Sequence, residues 1–295
     1  MRRFRSLAAA LTGVAAVLLA GCSLPPGVDG NLVDDWPTLE QAEPWQPRSG
    51  ECHAGTFVEA PLLSLYQPIP CTEGHMTETV HVGAFEDRHT QPPPGSPERR
   101  RAYAECHAKA TEFLGDDWRT GRIMLGLAVP STNAWAGGAR WFRCDLWEIR
   151  ERDGRPYIAL RSASLKDALR GDRPLGYGCY VVTKKDDVIE SEVATDCAKP
   201  HNAEFAGVFE APDIAYPKTE DEFNTMAFNG CWGVIARFAN VPNDRDLPYR
   251  TGQFISPYGP EAWEEGNRGV RCFLYLDRNV TGSLKGVGPS GLPVT

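Results

Sequence analysis

Eight cysteines, arranged in two sets of four, constrain the fold of this chain more than any other feature. Cys52, Cys71, Cys106 and Cys144 are separated by 19, 35 and 38 residues, and Cys179, Cys197, Cys231 and Cys272 by 18, 34 and 41. The residues around them repeat as well. PCTEGHMTE at 70–78 aligns without a gap on DCAKPHNAE at 196–204, so both carry C-x3-H-x2-E, with His75 and Glu78 matched by His201 and Glu204. WAGGARWFRCDL from Trp135 aligns on WEEGNRGVRCFL from Trp263, which matches Arg140 and Arg143 to Arg268 and Arg271. Each set is followed by Ser-Leu-Lys, at Ser164 and Ser283. The pattern predicts two related domains, 50–172 and 176–288, each within the usual domain size, and a short tail at 289–295.

Whether those cysteines are thiols, metal ligands or disulfides depends on the compartment. The chain starts MRRFRSLAAALTGVAAVLLAGC: Arg2, Arg3 and Arg5, then an apolar run too short for a confident membrane span, then Leu19-Ala20-Gly21-Cys22. Basic residues, apolar run, small residues and cysteine occur in the order of a lipoprotein export signal, which resembles a lipobox and outweighs an ordinary secretory peptide with an incidental cysteine. Residues 1–21 are then the signal, and Cys22 carries a diacylglycerol and an acyl chain such as palmitate. Each buried methylene contributes about 0.8 kcal/mol, and more than one chain is needed for stable attachment. The expected partner is thus a membrane, with the protein on its extracytoplasmic face.

Residues 22–49, rich in proline and acid and without apolar periodicity, read as an extended tether. Removing 1–21 takes three of the 31 basic residues and none of the 39 acidic ones, so the formal charge becomes 28 minus 39, or −11. That balance argues against a nucleic-acid partner. In an oxidising compartment the eight remaining cysteines read as disulfides. Four cysteines allow three pairings per domain; first-with-second and third-with-fourth is preferred, each bridge contributing about 3–4 kcal/mol in the chain-entropy model.

Helices are expected at the same place in both sets. Ser96 is an N-cap with Pro97 after it, Gly115 ends the segment, and Tyr103, Cys106, Ala110 and Phe113 share a face. Thr219 and Glu222 have capping-box spacing before Phe223, Ala227, Cys231, Val234 and Phe238. Strands are read at 78–86, 122–130, 143–149 and 157–162, then at 178–183, 192–197, 203–211 and 271–277, with Asp153-Gly154 as a hairpin turn. The fold class is α+β: two tandem disulfide-stapled domains, each a mostly antiparallel sheet with one packed helix.

The C-x3-H-x2-E pairs invite a catalytic or metal reading. A structural zinc site wants closely spaced thiolates, and none of these pairs has that spacing. Residues three apart on a strand face opposite ways, which disfavours a shared acid–base site. The simpler reading puts each histidine at the end of a tight turn, bonded to backbone or to the glutamate. Arg140, Arg143, Arg268 and Arg271 are expected to pair with Glu78 and Glu204 across the sheet, with an anion-binding edge as the alternative. Arg99, Arg100 and Arg101 read as a solvated helix face.

Taken together, the duplicated C-x3-H-x2-E, the helix cysteine, W-x2-G-x-R-x2-R-C-x-L and Ser-Leu-Lys resemble the bacterial septum-formation domain family, met twice. Gly74 stands where the family pattern has a proline, and Glu51 and Gly178 stand where it has an aspartate. The resemblance implies an exported or membrane-attached envelope protein linked to cell division, with an envelope or division protein as partner and no reaction to transfer. The expected function is a lipid-anchored, non-enzymatic binding or scaffolding protein that needs no cofactor. The alternatives are an envelope hydrolase or metalloenzyme using the C-x3-H-x2-E residues, and a solute-binding or sensing lipoprotein.

Overall fold

A computed structural model describes residues 44–86, 89–152, 155–186 and 188–295. The expected signal, Cys22, most of the tether and the turn residues Asp153 and Gly154 lie outside the described residues.

The first half contains strands β1 (Cys52–His53), β2 (Pro68–Ile69) and β3 (Thr77–Ala84), helix α1 (Pro97–Leu114), strand β4 (Ile123–Ala128), the short helix α2 (Thr132–Ala136), and strands β5 (Trp141–Arg152) and β6 (Arg155–Ile158). The second half contains β7 (Cys179–Lys185), β8 (Val188–Thr195), β9 (His201–Glu210), α3 (Glu220–Ala239), β10 (Gly252–Pro257), α4 (Pro260–Glu265), β11 (Gly269–Val280) and α5 (Gly288–Gly291). The first sheet runs β2-β1-β3-β5-β4, with β6 hydrogen-bonded to β5, and the second runs β10-β11-β9-β7-β8. The pairs named in these orders are antiparallel. The α+β class therefore holds.

The path β1-β3-β5-β4 corresponds to β7-β9-β11-β10 in register as well as in order. Cys52 pairs with Glu78 as Cys179 pairs with Glu204, and Thr79 lies opposite Asp145 as Phe205 lies opposite Phe273.

Both long helices begin and end for local reasons. The Ser96 hydroxyl accepts from the Arg99 amide, Pro97 occupies the first turn without a wasted donor, and Gly115 closes the helix in the left-handed region at φ 88°. Thr219 accepts from the Glu222 amide, and the Glu222 carboxylate reaches back to the Lys218 amide. Tyr103, Cys106, Ala110 and Leu114 of α1 are buried, as are Phe223, Ala227, Cys231 and Val234 of α3. The disulfides are Cys52–Cys71, Cys106–Cys144, Cys179–Cys197 and Cys231–Cys272, so the second bridge of each set ties the helix to the central strand. Each bridge lies between Cα atoms 5.2–5.4 Å apart, within the range a disulfide requires.

Residues 44–295 form one compact unit, so the halves are not separate bodies. Arg119, which follows α1, binds Asp117 through paired contacts and reaches Glu210 of the second half at 2.6 Å. Trp118 packs edge-on against Tyr258 at 5.2 Å, and Tyr258 borders the first half's core. The arginine run is a solvated face only in part: Arg100 and Arg101 are exposed, but Arg99 is buried and ion-paired to Glu59 and to Glu265 of α4, and Arg100 donates to the Glu264 carbonyl. No local stretch of sequence signals these pairs, because the acidic partners lie far along the chain. The tail at 289–295 is anchored through Leu292, which is fully buried in the second half's core and whose carbonyl accepts from Arg250 at 2.8 Å. The end of the expected tether is docked too, with Pro47 buried and Trp45 in ring contact with Tyr66 and Trp141.

Candidate functional site

The two C-x3-H-x2-E sets adopt the same geometry. After the disulfide-bonded cysteine the chain turns, and the histidine Nδ1 donates to a carbonyl two residues earlier: His75 to Glu73 at 2.9 Å, His201 to Lys199 at 2.8 Å. A carbonyl can only accept, so the proton is on Nδ1. Each Nε2 is buried without a hydrogen-bond partner among the described residues. His75 also pairs by its backbone with Arg161, beyond β6, and His201 with Val280, the last residue of β11 past a register shift, so each histidine lies beside the chain that leads from the central strand to Ser-Leu-Lys.

The glutamates hold that returning segment. Glu78 accepts from the Ser164 hydroxyl at 2.6 Å and the Leu165 amide at 2.7 Å; Glu204 accepts from the Ser283 hydroxyl and, at 2.7 Å, the Leu284 amide. The serine oxygens in turn accept from the Lys166 and Lys285 amides. Two motifs that repeat separately in sequence are thus partners in space: the buried carboxylate of the first caps the Ser-Leu-Lys of the second. Cys52, Cys71 and Glu78, and likewise Cys179, Cys197 and Glu204, bring ligand-type atoms within 4.8 Å. With the sulfurs joined in disulfides there is no thiolate to offer a metal, and both carboxylates are already bonded.

The repeated arginines do not meet these glutamates. Glu78 lies opposite Leu146 in β5 whereas Arg143 lies opposite Val82, three positions away, so the side chains leave the sheet on opposite faces. Arg140 instead stacks over Trp135 at 4.4 Å and donates to the Trp135 carbonyl; Arg268 stacks over Trp263 at 4.5 Å and donates to the Trp263 carbonyl and to Asp213. The W-x4-R spacing therefore encodes an intramolecular cation–π contact. Arg143 binds Asp145 and lies over Tyr66 at 5.5 Å, while Arg271 lies over Tyr258 at 4.4 Å and donates to the Tyr177 hydroxyl.

A second constellation, absent from the sequence reading apart from Arg143, occupies only the first half. Asp145 is fully buried; Oδ2 accepts from Arg143 Nε at 2.9 Å and Nη2 at 2.7 Å, and Oδ1 accepts from the Thr79 hydroxyl at 2.8 Å. Burial pushes the Asp145 pKa up against the pull of Arg143. His53 Nε2 contacts Thr79 Oγ1 at 2.9 Å. Burial, reinforced by Arg143 and His75, pushes the His53 pKa down to about 4, so its imidazole is neutral at physiological pH. The signal that could have found these residues is the comparison of the two repeats, which puts His53, Thr79 and Asp145 where the second carries Tyr180, Phe205 and Phe273.

Fold and site define a disulfide-stapled α+β protein in which each sheet carries a carboxylate-capped return segment and a bridged helix. A family model described as septum formation matches residues 49–272 in one span that crosses both sheets, and the chain belongs to that family. No curated relative and no solved structure matches it.

Proposed function

We propose that this protein is a lipid-anchored, non-enzymatic binding or scaffolding component of the bacterial cell envelope that acts in septum formation. Two copies of one ancestral fold, fused into a single unit, form its body. The observation that carries the reading is the use of the repeated polar motifs: in both halves the glutamate holds Ser-Leu-Lys and the cysteines close a disulfide, leaving the motifs as internal fastenings. Membership of the septum formation family supports the link to division. The order of basic, apolar and small residues before Cys22 supports the anchor.

The test replaces Cys22 and follows both lipid and location. Labelling with an alkyne fatty acid should mark the wild-type chain and not C22S, and C22S should leave the membrane fraction. A fusion exported by a compatible route should be enriched at the septum. Equal labelling of C22S would remove the anchor, and uniform membrane fluorescence would remove the septal role. The metalloenzyme alternative is decided by metal analysis of the oxidised protein, where stoichiometric zinc beside four intact disulfides would displace the scaffolding reading.

A further inference from the structure

The two halves share a backbone but fill the outer face of the sheet differently. Cys144 and Cys272 bond to the helices, so the next residues, Asp145 and Phe273, point away from them. In the second half that layer holds Tyr180, Phe205 and Phe273 as packed rings, with centroids 5.4–5.8 Å apart. Three aromatic rings therefore satisfy the fold at these positions. The first half places His53, Thr79, Asp145 and Arg143 there, a buried chain that must be desolvated and fully bonded to be tolerated.

The hydrogen bonds of that chain set the state of His53. The Thr79 hydroxyl has one hydrogen, and it goes to Asp145, whose other oxygen is held by Arg143. The 2.9 Å contact between His53 and Thr79 is then an Nε2–H donating to the hydroxyl oxygen. Nδ1 is left as a bare acceptor with no partner among the described residues, on a side chain that keeps 8% of its surface exposed.

Glu51 lies two residues before His53, on the same side of the strand, and its carboxylate accepts from the Tyr66 hydroxyl. The Tyr66 ring is 5.1 Å from His53, and Trp45 stands edge-on to Tyr66 at 4.3 Å while remaining 36% exposed.

We infer that His53, Glu51, Tyr66 and Trp45 form a binding site for a neutral saccharide. Sugar hydroxyls donate to His53 Nδ1 and to Glu51, and the C–H face of the ring lies against Trp45. Other ligand classes fit less well. An anion meets Glu51 and has no hydrogen for Nδ1. A cation meets Arg143, whose guanidinium lies over Tyr66. A wholly apolar ligand leaves Nδ1 buried and unpaired. This inference is independent of lipid attachment and of septal location.

The test uses the purified full chain with 15N-labelled histidine and chitotetraose as probe. His53 should show a protonated Nε2 and an unprotonated Nδ1, and the probe should move the Nδ1 resonance and the tryptophan emission with one saturating curve. H53F and W45A should each weaken binding by about tenfold or more. T79V should populate both His53 tautomers and weaken binding several-fold. Y180F, in the second half, should change nothing. A flat titration up to the solubility limit of the probe, a saturable response to ethylammonium or acetate in its place, or wild-type binding by W45A and T79V would each overturn the site; those two variants carry the test if H53F fails to fold.

Discussion

Glu78 and Glu204 show how a residue that looks catalytic in sequence is used as a fastening. Each buried carboxylate satisfies a hydroxyl and a backbone amide of a segment about 80 residues away. Replacing Glu78 with alanine leaves the buried Leu165 amide without its acceptor, and E78A should lower stability by about 1–3 kcal/mol in urea unfolding. S164A should cost less, and the double variant should cost less than the sum of the two, because both act through one contact. His53 gives a prediction of another kind. Its pKa of about 4 lies below the ordinary 6.5, so the folded protein binds fewer protons than the unfolded chain between these values. Stability should therefore fall as pH drops from about 6.5 to 4 and level off below; the part due to His53 is the difference between urea midpoints of wild type and H53F across that window.

At the scale of elements, the sequence was most legible where local chemistry decides. Ser96, Pro97, Gly115 and Thr219 mark the helix ends that the structure has, because capping is settled within a turn of chain. Strand β10 was missed. Its six residues GQFISP bury one large apolar side chain, Phe254, so there is no alternation to read. Among the three pairings that four cysteines allow, the preferred first-with-second and third-with-fourth is the one the structure has, and its helix-to-strand bridges define the next prediction. C106A/C144A removes a link spanning 38 residues and should cost about 3–4 kcal/mol by the loop-entropy argument, read from the urea midpoint with the slope checked for residual structure.

At the scale of the molecule, the two halves are joined by Arg119 and the Arg99–Glu265 pair, with Tyr258 packed at the border of the first half's core. Arg119 is nearly buried, and its loss leaves Asp117 without its paired donors. R119A should cost about 2–3 kcal/mol, less than a fully buried pair because Glu210 is largely exposed. Calorimetry should show one transition for the wild-type chain, with calorimetric and van't Hoff enthalpies in agreement. Two separated transitions would show that the halves unfold independently and that the shared surface contributes little.

Spacing and composition alone determined the repeated cysteine pattern, the α+β class, the helix caps and the family resemblance, because each depends on residues close in sequence or on a pattern that occurs twice. Only the tertiary structure decided that Glu78 serves Ser164 rather than an arginine, that Arg99 faces Glu265, and that His53, Thr79 and Asp145 form one chain. Those contacts join residues separated by 26 to 166 positions, and which face of a strand each side chain takes is set by register. Register in turn is fixed by what the whole sheet buries, which no local stretch of sequence contains.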